Sequence, residues 1–190
     1  MRRIIWHWTA GGHTANNTDK RHYHYIIEGD GTVVAGNHPP EANLNLRTPN
    51  DSSTYAAHTR GLNTESIGIA VAAMRGATER PFSTGPSPIT EAQVAALVAL
   101  TARLCKQYNI HVDIDTVLSH AEVQPTLKVA QRNKWDITWL PGMSRPADPV
   151  HVGTILRNQV SIKLAEQPAT TNPIATLITA ILKLFTKARK

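Results

Sequence analysis

Two histidines and an aspartate of this 190-residue chain could together hold a metal ion. His7 ends the apolar run "RRIIWH", His120 ends "TVLSH", and Asp136 lies in the loop that follows. Both runs are typical of buried strands. Two imidazoles and one carboxylate, with a fourth coordination position left open, are a ligand set of hydrolytic zinc enzymes. In such enzymes zinc polarises the substrate carbonyl and lowers the pKa of a bound water to about 7. The chain has nine histidines and no HExxH motif, so ordinary buried histidines are the alternative.

A mixed sheet flanked by helices would position such residues at one edge. We predict an α/β fold of this kind, because strand patterns alternate with helical ones. Thr90 and Gln93 form a capping box before a long helix, and Asp148–Pro149 begin another that runs to about Leu164. Five strands are predicted. The first is "RRIIWHW", and the next two, "HYHYIIE" and "TVVAG", flank a "GDG" hairpin turn. The fourth is the buried "SIGIAVAAM", and the fifth is "TVLSHAEV".

Composition narrows the class of protein. With 41% hydrophobic and 18% charged residues, the chain is typical of a globular protein. The one cysteine, Cys105, excludes an internal disulfide and is predicted to be a buried thiol. The net charge is +6, but four of the basic residues follow Glu166. The chain up to Glu166 has 16 basic and 14 acidic residues, a net charge of only +2. We therefore expect no nucleic-acid partner.

The order of several segments resembles a known family. The segments are "IIWHWTA", "YHYIIEGDGTVVAG", "AAHTRGLNTESIGIAV", "LSHAEV" and "KWD". Together they resemble the zinc-dependent N-acetylmuramoyl-L-alanine amidases of the type 2 amidase family, whose fold is shared with peptidoglycan recognition proteins and phage amidases. The resemblance covers roughly residues 1–158.

By this resemblance, His7, His120 and Asp136 match the three ligands of one Zn²⁺. Asp148, followed by proline, is the rival third ligand. Asp136 is favoured because a lysine stands two residues before it. The spacing between His120 and Asp136 is longer than the resemblance implies, so residues 121–133 are predicted to be a small insertion.

The resemblance also implies roles around the metal. Tyr23 matches a tyrosine that lines the active site, and Lys134 matches a lysine that stabilises the oxyanion, as a fixed cation would. His58 is expected near the substrate, and Trp135 is predicted to bind it, with core packing as the alternative. Ala70 stands where some branches carry a catalytic glutamate, which places the chain with the tyrosine and lysine branch.

The end of the chain has a different character. Residues 159–172 are predicted to be a helix end and a linker, and residues 173–190 a basic amphipathic C-terminal helix. Its apolar stripe could dock on the catalytic domain or lie on an anionic membrane. Both alternatives remain open at this stage.

The predicted function is cleavage of the amide bond between N-acetylmuramic acid and L-alanine in peptidoglycan by a phage endolysin. No secretory signal is visible, so we expect synthesis in the host cytoplasm and action on the periplasmic wall after release. The alternatives are a cytoplasmic amidase that recycles wall fragments, a peptidoglycan-binding module without catalysis, and a protein whose membrane-active end kills cells.

Overall fold

Five strands form one mixed sheet in the computed structural model, which describes residues 1–46 and 53–166. Their order across the sheet is β3-β2-β4-β1-β5. The strands β2, β4, β1 and β5 are parallel, and β3 pairs antiparallel with β2 in the predicted hairpin. Their bounds are β1 Arg3–Trp8, β2 Tyr25–Ile27, β3 Val33–Ala35, β4 Ser66–Val71 and β5 Val117–Ser119.

Four α-helices within the described residues flank this sheet, and the predicted α/β fold is confirmed. They are α1 Asn17–His22, α2 Glu91–Tyr108, α3 His120–Leu127 and α4 Pro149–Glu166, and a 3₁₀ turn covers Pro40–Asn43. Thr90 and Gln93 make the predicted capping box at the start of α2. Across the described ranges, no helix is long and apolar enough to cross a membrane.

Alternate residues of β1 point to opposite faces of the sheet. Ile4, Trp6 and Trp8 join the main core, to which α2 and α4 contribute, and we call this side the core face. Ile5 instead packs in a small cluster with Leu118 and Val123. His7 shares the side of Ile5, which we call the histidine face. The period of two therefore decides that a histidine, and not a tryptophan, reaches the metal site.

The central strand β4 is buried along its whole length, as its apolar run predicts. Ile67, Ile69 and Val71 belong to the main core. The alternating positions on the histidine face hold the small residues Ser66, Gly68 and Ala70. A Cβ at Gly68 would lie 2.5 Å from Cγ of His58. This side of β4 therefore has room for imidazole rings and for little else.

The predicted strand over "HYHYIIE" is partly wrong. Residues 17–22 form α1, whose N-terminus has a reciprocal capping box between Asn16 and Asp19, and the strand begins only at Tyr25. The local hydrogen bonds of the capping box favour a helix over an extended strand here. Tyr23 is consequently the C-terminal cap of α1.

One further boundary differs from the prediction. Strand β5 ends at Ser119, and His120 is the first residue of α3, because Ser119 and Glu122 form another capping box. Helix α4 begins at Pro149 as predicted and ends at Glu166, close to the predicted end near Leu164. The predicted C-terminal helix at residues 173–190 lies outside the described residues.

Candidate metal centre

The sheet topology brings His7 and His120 together. Strands β1 and β5 are parallel neighbours, and Trp6 pairs with Ser119, so the residues that follow each lie side by side. Asp136 arrives from the irregular segment after α3. Its carbonyl oxygen accepts a 2.7 Å hydrogen bond from the backbone N–H of Ala121 in the first turn of α3. Three segments that are distant in sequence thus meet at one sheet edge.

The three side chains present their donor atoms to a common point. Nδ1 of His7 lies 3.0 Å from Nδ1 of His120, and Oδ2 of Asp136 lies 3.3 Å from each of these nitrogens. A tetrahedral zinc ion with bonds of about 2.0–2.1 Å holds its ligand atoms about 3.3 Å apart. Of the described residues, these three form the one group placed to hold a metal ion. Both the spacing and the donor set therefore fit zinc.

The charge states also suit a metal. Burial lowers the pKa of His7 to about 4, so its imidazole is neutral and can offer a lone pair. Burial alone would raise the pKa of the Asp136 carboxyl, but the close contacts of its Oδ2 with the imidazoles of His120 and His7 hold that pKa below its ordinary value. The site therefore presents a carboxylate and a neutral imidazole at neutral pH.

Asp148, the rival third ligand, is occupied elsewhere. Its Oδ1 accepts a 3.0 Å hydrogen bond from the backbone N–H of His151 in the first turn of α4. It lines a different cavity, together with Arg80 and Arg145. The structure therefore groups Asp136, and not Asp148, with the two histidines.

The sequence matches one known family. The sequence model of the N-acetylmuramoyl-L-alanine amidases, Amidase_2, matches residues 1–148. The chain belongs to this amidase family. No curated protein matches the sequence.

Solved structures similar to this amidase include enzymes from bacteria and phages. The amidase LysC from Clostridium intestinale URNW has 21% identity and a TM-score of 0.43, covering 66% of this chain and 73% of its own. The Ph2119 endolysin from the Thermus scotoductus MAT2119 bacteriophage has 24% identity and a TM-score of 0.42, with 66% and 74% covered. AmiD from E. coli, solved with an anhydro-N-acetylmuramic acid peptide, has 21% identity and a TM-score of 0.44, with 73% and 52% covered. The family assignment rests on the sequence model.

Three side chains contact the outer nitrogens of the two histidines in this amidase domain. Nε2 of His7 lies 3.2 Å from Nδ1 of His58 and 3.3 Å from Oγ1 of Thr59. Nε2 of His120 lies 2.9 Å from Oε1 of Gln131. Residues that hold a metal-binding histidine by its other nitrogen orient the ring and tune the site.

Sequence reasoning missed Thr59 and Gln131. Thr59 had a local signal, since it directly follows His58. Gln131 had none, because it belongs to the stretch predicted to be an insertion, and only the folded chain brings it to His120. His58 is 8% exposed and is also one of the residues that line the cavity beside the site. Its predicted contact with substrate stays a prediction.

Tyr23 lies beside His7, the first residue of the candidate metal site. Its ring centroid is 5.2 Å from that of His7. Burial, followed by the nearby negative charge of Asp136, raises the pKa of the Tyr23 hydroxyl above its ordinary value. The phenol is therefore neutral and remains a hydrogen-bond donor at neutral pH.

A basic cavity opens next to the metal centre. It has a volume of about 580 Å³, and His120, His58 and Gln131 are part of its wall. Three exposed cations also line it: Arg60, Arg132 and Lys134. Lys134 thus lines the same cavity as His120, and its predicted role toward the oxyanion stays a prediction.

Trp135 and Ala70 complete the predicted set. The ring of Trp135 makes an edge-on contact with Trp8, with centroids 4.5 Å apart, and it packs partly buried against the main core. Core packing, the alternative reading of Trp135, is therefore present, and substrate binding by Trp135 stays a prediction. Ala70 pairs in register with His7, so a methyl group stands beside the ligand.

Proposed function

We propose that this chain is a zinc-dependent amidase that hydrolyses the amide bond between N-acetylmuramic acid and L-alanine in peptidoglycan. Membership of the amidase family supports the reaction class. The observation that carries the proposal is the triangle of donor atoms from His7, His120 and Asp136, with sides of 3.0 to 3.3 Å. His120 also lines the basic cavity beside this triangle.

The residues of this triangle would hold one Zn²⁺ per chain. When bound there, zinc supplies Lewis-acid polarisation of a carbonyl and makes water a nucleophile at neutral pH. His7 and His120 would each contribute an imidazole nitrogen, and Asp136 would contribute one negative charge. This leaves the bound ion with a net positive charge beside the substrate.

Lys134 and Tyr23 act on the substrate in this proposal. As the amide carbon becomes tetrahedral, its oxygen gains negative charge, and the ammonium group of Lys134 stabilises that charge more in the transition state than in the substrate. Tyr23 keeps its proton at neutral pH and offers an O–H donor near His7. The attacking water forms the new C–O bond and gives up a proton, and the amine of L-alanine takes up a proton as the C–N bond breaks.

The deciding experiment is muropeptide analysis of purified peptidoglycan. Wall digested with native protein should release new L-alanine amino termini without new reducing sugar ends. Chelator should abolish this release, and added zinc should restore it. Binding to the wall without any release, in a protein that contains zinc, would instead support the non-catalytic binding module.

Lys134 has a separate test. We expect Lys134→Ala to lower kcat about 100-fold with little change in the unfolding midpoint, because loss of one oxyanion-stabilising group costs roughly that much. Lys128→Ala is the matched control, since Lys128 is an exposed lysine whose Nζ donates to the Pro125 carbonyl. Equal activity of both variants would remove Lys134 from the mechanism.

We further propose that the enzyme is a phage endolysin, made in the host cytoplasm and active on the periplasmic wall. Support comes from Tyr23 and Lys134, which match the branch of the family that lacks the catalytic glutamate, and from the basic residues after Glu166. We assign this basic end to the anionic membrane surface. Leakage of anionic vesicles should fall when Lys183, Lys187, Arg189 and Lys190 are replaced together by Gln in the full chain. Unchanged leakage would contradict the membrane role and leave the amidase proposal untouched.

A further inference from the structure

Gln131 is a buried amide held between two fixed partners. It is 4% exposed. Its Oε1 lies 2.9 Å from Nε2 of His120, and its Nε2 donates a 2.9 Å hydrogen bond to the carbonyl oxygen of Arg60. Its backbone N–H donates to Oε1 of Gln124 at 3.0 Å, which holds the chain in place at this residue.

These contacts determine which way the amide group points. The carbonyl of Arg60 can only accept a hydrogen bond, so the group that faces it must be the NH₂ of Gln131. The carbonyl oxygen of Gln131 therefore faces His120. Because that oxygen can only accept, Nε2 of His120 must carry the hydrogen.

The position of that hydrogen decides what the other nitrogen can do. A neutral imidazole with hydrogen on Nε2 has its lone pair on Nδ1. Nδ1 of His120 is the atom that lies 3.0 Å from Nδ1 of His7 and 3.3 Å from Oδ2 of Asp136. Without an acceptor at Nε2, the ring would be free to adopt the tautomer that cannot bind a metal through Nδ1.

We propose that Gln131 is the positioning residue that selects the metal-binding tautomer of His120, with the backbone carbonyl of Arg60 as the fixed reference for its amide. The inference rests on the proposed function for the identity of the ion. It makes the stretch between α3 and Asp136, which resembles an insertion, a working part of the metal centre.

The other histidine has a comparable support. Nε2 of His58 lies 3.4 Å from the carbonyl oxygen of Ser66, which can only accept, so Nδ1 of His58 can accept. That Nδ1 lies 2.8 Å from Oγ1 of Thr59 and 3.2 Å from Nε2 of His7. The outer nitrogens of His7 and His120 thus each contact a side chain that also contacts a backbone carbonyl oxygen, that of Ser66 for His58 and that of Arg60 for Gln131.

The first test reads the tautomer directly in metal-free protein. Imidazole nitrogen NMR of the native chain at pH 7.5 should show His120 with hydrogen on Nε2. Gln131→Leu removes the acceptor at similar size and should shift the ring toward a mixture of tautomers, whereas Gln131→Glu keeps an acceptor oxygen and should preserve the Nε2–H form. Hydrogen on Nδ1 in the native chain would overturn the proposal, even if no variant could be studied.

The second test measures zinc affinity by competition with a chromophoric chelator. Gln131→Leu should weaken binding about 10- to 100-fold, the usual cost of losing an outer contact to a metal-binding histidine. Gln107→Leu, the same change at an exposed position of α2, is the matched control.

The outcomes separate this inference from the proposed function. If Gln131→Leu binds zinc as tightly as the native chain, the acceptor role is wrong. Weakened binding with an unchanged unfolding midpoint of the metal-free protein supports it. If the native chain binds no zinc, the proposed cofactor fails, and the tautomer experiment still decides the role of Gln131.

Discussion

The two faces of the sheet are buried to the same degree and built from different chemistry. The core face packs Trp6, Ile69 and other large apolar side chains against α2 and α4. The histidine face has an apolar cluster of only Ile5, Leu118 and Val123. The remaining space near it is occupied by four buried histidines: His7, His24, His58 and His120.

The difference shows how a chain can bury a polar site without losing its fold. On the core face a polar atom is the exception, and it is satisfied: Nε1 of Trp6 donates to Oγ1 of Thr101 at 2.9 Å. On the histidine face every imidazole has a hydrogen-bonding partner, so its burial is tolerated. Through residues 1–46 and 53–166, the one buried side-chain polar atom without a partner is Oγ1 of Thr126. Stability should therefore depend mainly on one face and chemistry on the other.

The largest effect should come from Asp136→Asn, which keeps the shape of the side chain and removes its charge. A bound metal supplies several kcal/mol to the transition state, so amidase activity should fall by about a thousandfold or more. The unfolding midpoint of the metal-free protein should change little. Wall digestion and a thermal melt measure the two effects. A variant whose unfolding midpoint is much lower but whose activity is unchanged would contradict this assignment of stability to one face and chemistry to the other.

Trp6→Ala should do the reverse. Trp6 is fully buried on the core face, and replacing such a side chain by alanine lowers the free energy of unfolding by about 3–5 kcal/mol. At a temperature where the variant is still folded, zinc affinity should remain near the native value. Chemical denaturation and metal competition test this. A large loss of zinc affinity in the folded variant would mean that the two faces are coupled.

The histidine face should also make the metal-free protein sensitive to acid. Burial lowers the pKa of His24 to about 4 from an unfolded value of 6.5, against the opposing hydrogen bond to Asn43. Between these values the unfolded chain binds more protons, so stability present above pH 6.5 is lost as the pH falls toward 4, by roughly 3 kcal/mol for this group alone.

Denaturation curves of metal-free protein from pH 7.5 to 4 measure this loss. His24→Asn should flatten the dependence. His151→Asn, at an exposed position of α4, should leave it unchanged. If native and His24→Asn proteins lose stability in parallel, His24 is not the group responsible.

A smaller effect is expected from Gly68→Ala. The added methyl would lie 2.5 Å from Cγ of His58, so the ring or the strand must shift, at a cost of about 1–3 kcal/mol in unfolding free energy. Gly12→Ala is the control, because a Cβ at Gly12 meets nothing within 4 Å. Equal stability of the two variants would show that the histidine face has more free space than its packing indicates.

Local patterns in the sequence predicted much of this fold. The apolar runs of β1 and β4, the hairpin around "GDG" and the capping box of α2 depend on neighbouring residues, and the structure confirms them. The competing capping box at Asn16 was not recognised, and the prediction of a strand at residues 22–24 was therefore wrong.

The site was predictable only in part. The ordered segments pointed to His7, His120 and the family, and the family is confirmed. The sequence favoured Asp136 over its rival Asp148 only through the lysine two residues before it, and Gln131 was not found at all. The contact of a carboxylate with two histidines that are distant in sequence cannot be derived from its neighbouring residues.

The sequence by itself determined the periodicity of each element, the boundaries set by capping, and the family. The tertiary structure alone decided which carboxylate joins the histidines and which amide orients one of them. The reason is physical: strand and helix patterns arise from contacts a few residues apart. The 3.3 Å contact between Nδ1 of His7 and Oδ2 of Asp136 joins residues that are more than a hundred positions apart in sequence. It forms only after β1, β5 and α3 have packed.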